Sequence, residues 1–248
     1  MIRSHHLLYV ALLFLGLVVV TGCSEEPTAT EPARVSQARD ADDVDLSPSG
    51  GGMPFADSEI FLEFNSTDND LGVQVFLDGE DWKRVVIFNP AYRPILDIQP
   101  RSEFRVLGLT ELRFESAEPS PEEVLELFDP GNYEFAGRTV EGDRLTGTGT
   151  LSHELAPAPI FSPSNGEVVA PDNTVIQWNA SPGVESWEVI VVNEHTGAEL
   201  FVELPGEVTS LKVPVNFLDS NTEYKAEVLA ILPNGNKTIS EGLFYTMP

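Results

Sequence analysis

The chain has 248 residues and is short of several things. It has one cysteine, Cys23, so no disulfide can form within it and stability must come from packed cores. It has 14 lysines and arginines against 40 aspartates and glutamates, a net charge of −26 at pH 7. A surface of that sign repels phosphate, which excludes nucleic acid as a partner. Of the four histidines, only His153 and His195 follow residue 22. No HExxH occurs, and without a second cysteine no transition-metal set is available. No GxSxG elbow occurs either. "GTGTL" at 147–151 lacks the lysine of a phosphate loop, and its glycines point instead to a bulge or a close approach of another strand. After Val20 no segment is long and apolar enough to span a bilayer.

What is present begins with Arg3, an apolar run from Leu7 to Val20, and the small residues Thr21 and Gly22. That is the layout of a secretory signal over 1–22. The run ends in Val20-Thr21-Gly22-Cys23, which resembles the lipobox of bacterial lipoproteins. The resemblance implies that Cys23 is lipidated and anchors the protein to a membrane of the bacterial cell envelope. Ser24 and Glu25 follow, and similarity to Gram-negative lipoproteins then implies the outer membrane, on its periplasmic or surface side. Loss of the signal would take Arg3 with it and leave 13 basic residues against 40 acidic ones. Residues 24–56 are rich in Pro, Ser, Asp, Glu and Gly and show no periodicity, so 23–56 reads as a lipidated cysteine followed by a disordered tether.

From Asp57 the pattern alternates. "EIFLEF", "VQVFLDG", "WKRVVIF", "PILDI", "SEFRVLGL", "TELRFES", "NYEFAG" and "RLTGTGTL" read as short strands, with Asp78-Gly79 as a hairpin turn. One helix is expected. Ser120-Pro121-Glu122-Glu123 is a capping box, followed by Val124, Leu125 and Phe128. "ELAPAPIFSPSNG" marks a boundary near residue 157, giving domains over 57–156 and 157–248. The second reads as further short strands, "TVIQW", "SWEVIVV", "ELFVEL", "SLKV", "EYKAEVLAI" and "GLFYT". The fold class is therefore all-β, with two tandem β-sandwiches.

"FLDSNTEYKAEVLAILPNGN" resembles the end of a fibronectin type III domain. By that resemblance Leu218 and Tyr224 occupy its tyrosine corner, and Trp178 is the core tryptophan of its second strand. The resemblance covers about 160–248 and implies a fold rather than an activity. "STDNDLGVQVFLDGEDW", "GLTELRFES" and "LSHELAPAP" resemble an uncharacterised domain of bacterial secreted proteins that precedes a fibronectin type III module, and carry no chemistry with them.

No nucleophile–base pair stands out. Ser152 and His153 are adjacent on a strand and so point to opposite faces. Asp68 and Asp70 in one loop, with Asp78 in the next turn, offer alternating hard oxygens suited to calcium, though without the register of an EF-hand. The leading expectation is a non-catalytic module, anchored in the membrane, that binds or spaces a protein or glycan. The alternatives are a hydrolase with an acidic site in 57–156 and a calcium-stabilised structural module. No other cofactor is implied.

Overall fold

Alternating apolar residues make strands when one face can be buried, and nearly every such run here does so. A computed structural model of the chain describes residues 46–48 and 50–248. Its first half contains β1 (Met53–Pro54), β2 (Asp57–Asn65), β3 (Asp70–Phe88), β4 (Pro94–Ile98), α1 (Ser102–Leu107), β5 (Leu109–Glu115), α2 (Pro121–Leu127), β6 (Gly131–Thr139) and β7 (Arg144–Leu151).

β3 organises this half. Residues 70–78 pair with β2, and 74–78 also with β5. Beyond a register shift, residues 82–88 lie between β6 and β4. One strand thus passes from one layer to the other. Its inward residues Val73, Val75 and Leu77, then Val85 and Ile87, line a single core with Tyr133, Phe135 and Leu145. Asp78-Gly79 is not a hairpin turn. Partners on both edges hold Asp78 in the ladder, and irregular pairing between Asp78 and Trp82 takes up the corner. The two layers come close where β7 crosses β2. A Cβ on Gly147 would lie 2.6 Å from Ser58 Oγ, so a larger residue cannot be placed there without displacement.

Two further expectations change. "SEFRVL" is helix α1, not strand, and β5 starts only at Leu109. The tether also gives way to structure before residue 57. Leu46 packs on Val86, Phe88 and Ala136, β1 pairs with β7, and Phe55 belongs to the core. The expected helix forms as α2. Glu123 accepts hydrogen bonds from the Ser120 backbone N–H at 3.1 Å and from its hydroxyl at 2.8 Å, and Val124 is buried.

The second half contains β8 (Phe161–Ser162), β9 (Glu167–Val169), β10 (Val175–Trp178), β11 (Ser186–Asn193), β12 (Glu199–Pro205), β13 (Ser210–Lys212), β14 (Glu223–Ile231) and β15 (Lys237–Thr246). One sheet is β13-β10-β8, and the facing layer runs β15-β14-β11-β12. Trp178, Trp187, Val189, Val191, Ala226, Val228 and Phe244 fill the space between them.

The halves are joined by backbone pairing. β15 runs parallel to β2, with Lys237 opposite Glu63 and Ile239 opposite Asn65, so one sheet continues through both sandwiches. Asn236, fully buried, locks the seam. It accepts from the Leu62 backbone N–H at 2.8 Å and donates to the carbonyls of Ser152 at 2.8 Å and Glu154 at 2.7 Å. The Ser66 N–H and hydroxyl both donate to the Ile239 carbonyl, at 2.9 and 2.6 Å. Because β15 continues in the direction of β2, the span from Asp57 through the seam to Thr246 is roughly 15 residue steps, or about 50 Å at ~3.3 Å per residue.

Candidate functional site

The three candidate calcium ligands do not converge. Asp70 lies opposite Asn65 and Asp78 opposite Asp57, at the two ends of one ladder. Eight extended steps separate them by about 26 Å, so no single ion can bind both. Asp68 sits in the tight turn before β3. The Asn65 side chain accepts the Thr67 N–H there at 2.9 Å, and Asn69 adopts φ 59°. Among the described residues no group of three or more His, Cys, Asp or Glu side chains could hold a metal. Cys23 lies outside the described residues, as do the signal segment and the chain up to residue 45.

Folding assembles a different acidic group, on the outer face at the seam. Glu115 of β5 and Glu118 just beyond it lie over Gly72, whose missing side chain leaves them room. Glu118 is hydrogen-bonded to Glu115, and Gln74 donates to Glu115 at 2.5 Å. Burial of its carboxyl, then the charges of Glu115 and Asp70, push Glu118 up to about 7. Glu63 of β2 is buried beside them, with 5% of its surface exposed. Burial pushes its carboxyl up to about 7 against the opposing pull of Lys237, with Glu115, Glu188 and Glu118 adding to the rise. Lys237 in turn donates to both Glu188 carboxylate oxygens, at 2.9 and 3.0 Å, in a buried ion pair. Nothing local in the sequence marks these residues, since five different strands and a loop bring them together. A hydrogen-bonded Glu115–Glu118 pair is also closer than the roughly 5–9.5 Å that glycoside hydrolysis needs between its two carboxyls.

At the far end of the second sandwich the loops enclose an open polar cleft of about 430 Å³. Its walls are the β11–β12 turn, with Asn193, Glu194, His195 and Thr196, and the segment before β14, with Asp219, Asn221, Thr222 and Glu223. Asn193 folds the turn by accepting the N–H groups of His195 and Thr196, at 2.9 and 3.0 Å. Tyr224 forms the floor support. Its ring is fully buried and stacks on Phe244 at 5.6 Å, while its hydroxyl accepts from the Asp219 N–H at 2.7 Å and from Asn193 at 3.2 Å. Leu218 packs into the same core, and Trp178 lies in it 5.7 Å from Trp187. The Thr222 hydroxyl is spent on the Ser220 carbonyl at 3.0 Å. The cleft therefore offers carboxylates, amides and an imidazole for hydrogen bonding.

These features define an all-β protein built of two sandwiches, the second with the fibronectin type III arrangement of strands and corner tyrosine. Similar solved structures are of that kind. The FN1–FN3 domains of chicken CNTN1 align over 78% of this chain at 15% identity, with a TM-score of 0.35. This chain spans 65% of that structure's length. A two-domain fibronectin type III segment of chicken tenascin aligns over 75% of this chain and 96% of its own at 14% identity, with a TM-score of 0.31. The fn3 domain of human collagen alpha-1(XX) aligns over 39% of this chain and 85% of its own at 27% identity, with a TM-score of 0.30. No protein-family model and no curated protein matches the sequence. Strand order and the tyrosine corner, not these likenesses, define the fold of 157–248.

Proposed function

We propose that the protein is a lipid-anchored module of the bacterial cell envelope that binds a protein or glycan and does not catalyse. In this reading Cys23 carries the anchor, in the outer membrane, and the joined sandwiches hold the polar cleft away from it. The observation that carries the reading is the β2–β15 seam. Backbone pairing and the buried Asn236 make two sandwiches one stiff body, which suits a spacer that presents one end. The cleft is open and formed by loops, where sandwich proteins commonly meet their ligands. Its carboxylates Glu194, Asp219 and Glu223 favour a partner that is neutral or basic.

The test uses the full chain, purified from membranes, against envelope proteins by cross-linking, against immobilised glycans, and against a panel of hydrolase substrates. Binding that is lost in Glu194→Lys with Glu223→Lys supports the reading. Turnover that is lost in Glu118→Gln would overturn it in favour of the hydrolase.

A further inference from the structure

β12 is the outermost strand of its layer and pairs only with β11. The register is unbroken, from Glu199 opposite Val192 to Pro205 opposite Ser186. The bonds at either end decide which backbone groups of β12 are free. The Asn193 N–H donates to the Ala198 carbonyl at 2.8 Å, and the Gly206 N–H to the Glu185 carbonyl at 2.9 Å. Hydrogen-bonded pairs alternate along an antiparallel ladder, so Leu200, Val202 and Leu204 spend their N–H and C=O groups on β11. Glu199, Phe201 and Glu203 turn theirs outward, to an edge on which no strand of the described residues lies. Pro205, with no N–H to offer, closes that edge at one end.

The same three residues carry their side chains on the outer face of the sheet, away from the core that takes Leu200 and Leu204. Glu199 and Glu203 are exposed and Phe201 is half-buried. Phe201 lies opposite Ile190 and packs on an outer apolar group with Leu229 and Ile239. The edge thus presents carboxylate, ring, carboxylate. No cation among the described residues pairs with either glutamate. Partial burial, then the charge of Glu227, raises the Glu199 carboxyl above its ordinary value. Edges are commonly blunted by lysine, an interior proline or a bulge, and β12 has none of these. Its glutamates oppose one pairing in particular. Two copies matched antiparallel about Phe201 would set Glu199 against Glu203 twice. The other outer strands offer less. β1, β8, β9 and β13 have two or three residues, β4 starts with proline, and β5 mixes Arg113 with Glu111 and Glu115.

We infer that β12 takes up an extended segment of a partner protein as an added antiparallel strand, in the pattern basic–x–apolar–x–basic. Residues opposite Glu199, Phe201 and Glu203 exchange both backbone bonds with them. Lysine or arginine opposite each glutamate meets a carboxylate, and an apolar residue opposite Phe201 extends the outer apolar group. A chain of net −26 also draws a basic segment at long range. A second copy of this chain is the poorer occupant, because its carboxylates would face these. The inference rests on the proposed function in one respect, that the partner is a protein. It uses neither the anchor at Cys23 nor the polar cleft.

The test titrates the full chain, in detergent, into two fluorescent peptides, TKTVTKT and its acidic counterpart TETVTET. Saturable binding of the first and none of the second is expected. N-methylation of the peptide's valine, whose N–H meets Phe201, should weaken binding about tenfold or more. N-methylation of the threonine before it, whose N–H faces away from β12, should leave binding unchanged. Glu199→Lys with Glu203→Lys should weaken TKTVTKT about tenfold or more and favour TETVTET instead. Both side chains are exposed, and circular dichroism checks that the fold is kept. Absence of saturable TKTVTKT binding, or equal weakening by the two methylations, overturns the added strand. Dimerisation of the native chain that displaces the peptide also overturns it, in favour of a second copy. The cleft is judged separately. Peptide binding lost in Glu194→Lys with Glu223→Lys but kept in the β12 pair moves the peptide to the cleft and overturns the edge. Binding kept in the cleft pair and lost in the β12 pair upholds the edge, even if the cleft proves to hold no ligand.

Discussion

Replacing Glu63 by glutamine should make the protein more stable at pH 8, with a much smaller gain at pH 5. Glu63 is buried at the seam, facing Lys237 on β15, Glu188 on β11, Glu115 on β5 and Glu118 in the loop beyond it. Its carboxyl is raised from 4.5 to about 7. A carboxyl with a raised value in the folded state binds its proton more tightly there than in the unfolded chain. Its stabilising contribution is complete below pH 4.5 and is lost as pH rises through about 7. At about 1.4 kcal/mol for each tenfold change in acidity, the loss is about 3 kcal/mol. That figure is the balance between burying a charge and the attraction of Lys237. Glutamine has the shape of the protonated acid and cannot ionise, so it avoids the loss. For some 200 folded residues, the gain at pH 8 corresponds to about 6–12 °C in the melting temperature. Thermal unfolding of both proteins at pH 5 and pH 8, followed by circular dichroism, measures it. Carboxylates away from the seam titrate alike in both chains and cancel in the difference, while relief of the neighbouring Glu115 and Glu118 adds to the gain at pH 8. A glutamine variant that is less stable at pH 8, or displaced equally at both pH values, would refute the reasoning.

Two further outcomes follow from the same geometry. Asn236→Ala removes three hydrogen bonds at the seam and leaves a buried N–H and two carbonyls without that partner, a cost of about 2–4 kcal/mol in chemical denaturation; an unchanged urea midpoint would show the seam to be held by other contacts. Tyr224→Phe deprives the Asp219 N–H and the Asn193 amide of their acceptor under the cleft, and should cost about 1–3 kcal/mol and loosen the β11–β12 turn, read as faster amide exchange at His195 and Thr196.

Much of the architecture could be read from the chain alone. A lone cysteine makes disulfide support impossible whatever the fold. Period-two alternation picks out Ile60 and Leu62, or Val73 and Val75, as residues that share a face, because a strand has no other way to place them. The Ser120–Glu123 capping box starts a helix through bonds made within four residues. These are local facts, and local chemistry decides them. The partners of each strand are a different matter. Asp78-Gly79 has the composition of a turn, yet flanking strands on both edges keep it extended. "SEFRVL" alternates like a strand, yet its Phe104 and Val106 find no layer to pack on and the segment coils into α1. Leu46 and Phe55 sit in a stretch whose composition suggests disorder, and only a waiting apolar surface makes them core. Glu63 and Lys237 are 174 positions apart. Alternation states which side of a strand is apolar but not which edge will be met, so the parallel β2–β15 seam, the carboxylates it gathers and the cleft it holds at the far end were decided by the tertiary fold.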